Sequence, residues 1–341
     1  KLVMGPWTHG WKTLALSHSG DVDFGPQAVI DYAKLRLTFF DHWINGQSTA
    51  IMDEPPVNIF VMGGGDGKKN AQGRMNHGGC WRYEAEWPLA RTEYEKYYLH
   101  TGGILNTLHP MDGETPDSYQ YDPRNPIPTI GGNISSLDGL LPPSVGSPDI
   151  PVKQREKDII GIPGAFDQKE HPRFFGCTPP YLPLASRHDV LVYITDPLKE
   201  ALEVTGPIEV KLWAKSSAKD TDFTAKLIDV HPANDDYPNG YEMNLTDSII
   251  RARYRNSREK SKLMDPGEIY CFTLVLYPTS NLFQTGHRIR LDISSSNFPR
   301  FDINPNTGDP LWSNDRSIVA ENTILHDSAY PSHIVLPIIP L

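Results

Sequence analysis

Only three cysteines, Cys80, Cys177 and Cys271, occur in 341 residues, and no two of them form a CxxC pair. That excludes a disulfide framework and a cysteine-built zinc module, and it makes a reducing, cytoplasmic compartment the expectation. Nowhere do 18 apolar residues run together, so no membrane partner is expected. Positive charge is also short. With 32 Lys and Arg against 42 Asp and Glu the formal charge is -10, whereas a nucleic-acid face needs a basic excess. The one basic cluster, "RARYRNSREK" from Arg251, alternates as a strand surface does, so nucleic acid is not an expected partner. The 12 histidines show neither HExxH nor a paired spacing. The carboxylates Asp220, Asp222, Asp229, Asp235 and Asp236 are spread over a strand and a Pro-containing loop, unlike the compact loop that calcium takes. No metal and no other cofactor is therefore expected.

Proline and glycine are plentiful, at 31 and 27 residues, which fits a strand-rich, loop-rich globular chain long enough for two domains. The first segment reads as strand, loop, helix, strand. "KLVM" is a continuous apolar run that Gly5-Pro6 stops, because Pro lacks the ladder donor. "GPQAVIDYAKLRLTFFDHWINGQ" predicts a helix, with Pro26 in the first turn, Ala33, Leu37, Phe40 and Ile44 on one face, and Asn45-Gly46 as the stop. "PPVNIFVMGGG" predicts a second buried strand. Two apolar strands joined through a helix form a crossover unit of a parallel sheet. A parallel strand at residue 1 needs neighbours for its backbone groups, so the expectation is that the sheet continues upstream and that this chain is a piece of a larger protein.

From about residue 88 the texture changes. Residues 100 to 185 are rich in Pro, Gly, Asp and Ser and are expected to drape over another surface. Short strands follow: "DVLVYIT", "IEVKLWAKS", "DFTAKLIDV", "SIIRARYR", "EIYCFTLVLY", "HRIRLDISSS", "NTILHD" and "HIVLPII". The alternation in Ile208-Val210-Leu212 and Ile289-Leu291-Ile293 predicts strands with one wet face. The fold class expected is mainly β: a jelly-roll, galactose-binding-like β-sandwich over 81–341, preceded over 1–80 by the last strand-helix-strand segment of an α/β-hydrolase domain. Two sequons, at Asn133 and Asn244, would permit glycosylation in a secreted protein.

The segments "LVMGPWTHG", "FFDHWING", "VNIFVMGGG", "WRYEAEWPLA", "TDFTAKLIDV" and "LDISSSNFPRFDINPNTG" together resemble the CocE/NonD-type serine hydrolases. That family groups cocaine esterase, α-amino-acid ester hydrolases and X-Pro dipeptidyl-peptidases, and the resemblance covers essentially all of this chain as the C-terminal part of such an enzyme. It implies an α/β-hydrolase domain with a Ser-Asp-His triad, followed by a jelly roll that walls one side of the active site. His9 matches the triad histidine, the base that takes the proton from serine and returns it to the leaving group. Trp7 is a candidate for lining an acyl pocket. No GxSxG occurs, so the nucleophile, the acid and the oxyanion hole are expected in the upstream segment. The implied partner is a small ester, amide or peptide substrate, with a homo-oligomer as one assembly.

Other readings of the residues stand beside this one. Ser17, His18 and Ser19 in "LSHSGDVDFG" could form a site with Asp21 or Asp23, although a polar connecting loop has the same composition. A different functional class is a stand-alone jelly roll that binds carbohydrate or protein, for which Phe298, Phe301, Asp302, Asn304 and Trp312 would be the platform.

Overall fold

The computed structural model describes residues 1–134, 161–310, 313 and 315–340. In chain order the first segment holds β1 (Leu2–Met4), β2 (His18–Ser19), β3 (Val22–Asp23), α1 (Tyr32–Trp43), β4 (Val57–Met62), β5 (Met75–Asn76) and β6 (Gly79–Glu84). β1 lies parallel to β4, with Leu2 opposite Val57 and Met4 opposite Ile59, so the expected crossover is present. β6 returns antiparallel on β4 with Trp81 opposite Phe60, and this paired unit runs across residue 80.

The helix starts later than its sequence suggests. Pro26 opens a separate 3₁₀ turn, Pro26–Ala28. Asp31 then caps α1, its carboxylate accepting from the Lys34 amide at 2.9 Å, which satisfies one of the amides that a helix start leaves unpaired. Gly46, at φ +64°, provides the left-handed stop. The apolar face is real but uncovered: Leu37, Phe40, Trp43 and Ile44 are exposed, Ile44 to 73%. No residue of α1 is buried, so this face gains no burial energy from the described residues.

Eleven further strands follow: β7 (Glu93–His100), β8 (Ile104–Asn106), β9 (Asp117–Tyr121), β10 (Leu191–Ile194), β11 (Leu202–Ser216), β12 (Asp222–His231), β13 (Tyr241–Arg251), β14 (Tyr270–Phe283), β15 (Arg288–Ser294), β16 (Ala320–Leu325) and β17 (His333–Ile339). The hydrogen-bonded path runs β1-β4-β14-β11-β17-β7-β8-β10-β15-β12-β13, with β16 beside β11 and β9 beside β16. The short β8 carries the path from one layer to the other. Ile208, Val210 and Leu212 of β11 and Ile289, Leu291 and Ile293 of β15 point into one core, where Phe223 of β12 packs on Phe272 of β14 at 4.7 Å between ring centroids. Each such side chain contributes about 1.5–3 kcal/mol on burial, so this β-sandwich core is the main source of stability.

One expectation needs correction. β15 has no wet face, because Arg290 and Asp292 are buried as well. Arg290 is held by Asp292 and by Glu242 of β13, each at 2.7 Å. The cover comes from the Pro-rich stretch. Gln168 accepts from the half-buried Lys226 of β12 at 2.7 Å, Asp167 bridges to Met243 of β13, and Ile127, Ile130, Phe166, Phe174, Leu184 and Val190 form a small core of their own. The stretch thus lies over the sandwich as its composition suggests, while residues 135–160 are outside the described residues.

The first segment and the sandwich are joined edge to edge. Asn281 of β14 pairs with Met62 of β4. Arg82 of β6 makes a two-pronged bond to Glu203 of β11, with both contacts at 2.7 Å.

Candidate active site

β1 ends at Gly5, and the reason for glycine is steric. A Cβ there would stand 2.6 Å from the ring of Trp7, which folds back over the strand end. Trp7 Nε1 donates to the Ala28 carbonyl at 3.0 Å, and its ring lies 5.6 Å from that of Trp81. The chain then passes through Thr8, His9 and Gly10, the last at φ +121°, into a 3₁₀ turn at Trp11–Ala15. The Thr13 hydroxyl reaches back to the carbonyls of Thr8 and Gly10, each at 2.7 Å, closing the loop that presents His9. His9 is exposed.

Residues 3–8 form one wall of a cavity of about 380 Å³. The facing wall comes from the sandwich, through Met243, Asn244 and Leu245 of β13 and Pro278, Thr279 and Ser280 of β14. Phe24 and Phe60 add apolar surface, and Ser19 and Asn133 add polar groups. A concave cleft that mixes apolar walls with polar groups such as Asn244, Thr279 and Ser280 can serve as a small-molecule site. Trp7 lines it, while its indole N–H is spent on Ala28, so the ring is both packing and wall. Thr8 is the last lining residue of the loop, and the exposed His9 is the next residue of the chain.

Because Trp7 cannot keep its place over an added methyl, Gly5→Ala is expected to shift the indole and to cost about 1–3 kcal/mol, as overpacking does. Tryptophan fluorescence and the unfolding midpoint measure the two effects together. An unchanged emission spectrum with unchanged stability would contradict the packing described here.

The other candidates are engaged elsewhere. Asp21 pairs with Arg173, and Asp23 accepts from Asn70 at 2.6 Å and from the Gly25 amide at 3.1 Å. Burial, then Arg74, pushes His18 below its ordinary range against the upward pull of Asp23. In the supposed sugar platform, Asn304 is buried and donates to Asp220 and Asp222, Phe298 packs on Phe175, and Asp302 meets Arg251 at 3.2 Å. Trp312 lies outside the described residues. Asn244 is buried and accepts from the Phe166 amide, so its sequon is closed to a glycan, whereas Asn133 is exposed.

The acidic residues of the suspected calcium cluster also part company. Asp220 holds Arg253 and Asp222 holds Arg251, while Asp229 turns to the opposite end of β12. There it meets three histidines. His287 Nδ1 lies 2.8 Å from Asp229 Oδ1, and Asn281 Nδ2 donates to Asp229 Oδ2 at 3.1 Å. The Asn281 carbonyl oxygen then faces His77 Nε2 at 2.8 Å. Burial alone would raise the Asp229 carboxyl, but the His287 hydrogen bond and the neighbouring rings hold it below its ordinary value. Burial pushes His231 down to about 3 against the upward pull of Asp229. Sequence reasoning missed this group because it looked for paired histidines. The signal available was Asp229-Val230-His231, whose outer residues share a face of one strand.

The chain matches the family model described as the X-Pro dipeptidyl-peptidase C-terminal non-catalytic domain over residues 49–335. It is 34% identical to the cocaine esterase of a Rhodococcus species over 99% of this chain and 51% of that enzyme. A putative serine esterase of Mycobacterium bovis is 28% identical over 89% of this chain and 42% of its own length. Among solved structures, an aminopeptidase from a marine sediment Thaumarchaeota archaeon superposes with TM-score 0.75 at 27% identity, over 99% of this chain and 49% of that one. An α-amino-acid ester hydrolase gives 0.71 at 27% identity, over 99% and 50%. The chain thus spans about half the length of these relatives. A match over most of the chain, carried on a shared β-sandwich, means that the chain belongs to the X-Pro dipeptidyl-peptidase C-terminal domain family found in CocE/NonD-type hydrolases.

Proposed function

We propose that this chain is the C-terminal portion of a serine hydrolase that cleaves ester or amide bonds, with His9 as the general base of a Ser-His-Asp triad. The observation that carries the reading is the cleft whose one wall, residues 3–8, is followed in the chain directly by the exposed His9. A base must reach both substrate and nucleophile, and an exposed imidazole directly after a residue that lines a cleft supports such access. His9 lies ahead of residues 49–335, so the word non-catalytic in the family description concerns a region that excludes it. In this reading serine, aspartate and oxyanion hole come from an upstream segment of the α/β-hydrolase type, with residues 1–80 as the end of that domain and 81–341 as the sandwich. The bare face of α1, with Leu37, Phe40, Trp43 and Ile44, supports such a segment, since exposed apolar side chains in one row are normally covered. The relatives' names, an esterase, an α-amino-acid ester hydrolase and an aminopeptidase, support a small ester or amide as the substrate, including those of amino acids.

The test uses an active-serine phosphonate probe. The 341-residue chain by itself is expected to hydrolyse no p-nitrophenyl ester and to take no label, because without an activated nucleophile there is nothing to acylate. The longer protein is expected to take one label per chain, on a serine outside these residues. Stoichiometric labelling of Ser17, Ser19 or any other serine of this chain overturns the reading.

A further inference from the structure

The buried group around Asp229 has no part in the proposed hydrolysis, and its chemistry is that of a metal site. Ligand atoms of His77, Asp229 and His231 all lie within 4.8 Å of one another, and all three residues are buried. Among the described residues His231 Nε2, 3.8 Å from Asp229 Oδ2, has no hydrogen-bond partner, although the side chain is only 3% exposed. A buried imidazole nitrogen without a partner is costly unless something else takes its lone pair. His77 adds a second such atom. Asn281 donates its amide to Asp229 and therefore turns its oxygen toward His77, which must donate from Nε2, so the Nδ1 of His77 is the lone-pair nitrogen and it too is buried without a partner among the described residues.

We propose that His77, Asp229 and His231 bind one divalent transition-metal ion of the zinc class. Two neutral imidazoles and one carboxylate are a donor set that zinc accepts in tetrahedral geometry, with one position left for water. Calcium would need six or more oxygens, which the group does not offer. The surrounding residues have the form of an outer shell: His287 fixes one oxygen of Asp229, and Asn281 ties the other oxygen to His77. His77 is itself held through its backbone, its amide donating to the Asp23 carbonyl at 2.9 Å and its carbonyl accepting from Gly65 at 2.7 Å. The ion would bind the turn before β6 to the end of β12, joining the first segment to the sandwich. That is a structural role, apart from the cleft at His9.

The untagged protein, stripped with a chelator, is titrated with Co²⁺ and read by visible absorption. One Co²⁺ per chain with intense four-coordinate bands, displaced by one equivalent of Zn²⁺, is the expected result. His77→Ala and His231→Ala are each expected to weaken binding by at least the roughly 100-fold that loss of an outer-shell partner can cost. His188→Ala, at an exposed position, leaves binding intact. X-ray absorption of the wild-type zinc complex needs no variant and is expected to detect two imidazole ligands. Absence of saturable binding by the wild-type protein, binding untouched by both alanine variants, or a coordination sphere without imidazole overturns the proposal.

Discussion

Replacing His9 by alanine in the longer protein is expected to lower kcat by about 10³-fold or more, the usual cost of removing a triad member. Melting temperature and circular dichroism should stay close to those of the parent, because His9 is exposed and its truncation removes no core packing. The two readouts together separate a chemical role from a structural one. If the hydroxyl of an upstream serine is activated through this ring, KM should change far less than kcat, since substrate binding rests on the cleft walls rather than on the base. Full activity in the alanine variant would remove His9 from the mechanism and return the chain to the status of a binding wall.

The largest effect on stability is expected from Asp220→Ala. Its carboxylate is fully buried and accepts from Arg253 Nε at 2.7 Å, from the Arg253 amide at 2.8 Å and from Asn304 Nδ2 at 2.9 Å. Removing it leaves a guanidinium in the interior whose Nη2 still donates to the Asp309 carbonyl at 2.9 Å, and strands an amide proton. Breaking a buried pair from one side costs about 3–5 kcal/mol, because the surviving charge stays desolvated and unpaired. Asp302→Ala is the contrast. That carboxylate is 45% exposed and meets Arg251 at 3.2 Å, so its loss should cost no more than about 1 kcal/mol. Denaturant midpoints measured side by side decide the matter, and comparable losses in the two variants would refute the assignment of Asp220 as an internal anchor.

The parts of this fold legible in the sequence are those whose cause is local. The strand alternation of Ile208-Val210-Leu212 and the Gly-Pro stop after "KLVM" each depend on a few adjacent residues, and they describe what the backbone does there. The start of α1 was misplaced because Pro26 and Asp31 both fit a helix start and only the capping bond to Lys34 chooses between them. β15 was read as half wet because Arg290 and Asp292 are charged, yet their partners include Glu242, some fifty residues earlier in the chain. The histidine group was invisible for the same reason: His77, His231 and His287 meet only after β12 and the turn before β6 are brought together. At the candidate site, the loop bearing His9 could be found from sequence, but the facing wall from β13 and β14 could not.

The junction between β4 and β14 bears on how the cleft can behave as a machine part. Residues 3–8 begin within β1 and run on from its end, and β1 is bonded to β4. β4 in turn meets β14, whose residues 278–280 form the opposite wall. Both jaws are therefore mounted on one frame, which is riveted a second time where Arg82 grips Glu203. A clamp built this way has both jaws on one frame, so the gap between them follows from how that frame is folded. Its aperture works as a gauge, passing or refusing a molecule by dimension, and a change in what it passes has to come from filing the jaws themselves, at Trp7 or Met243, rather than from loosening a joint.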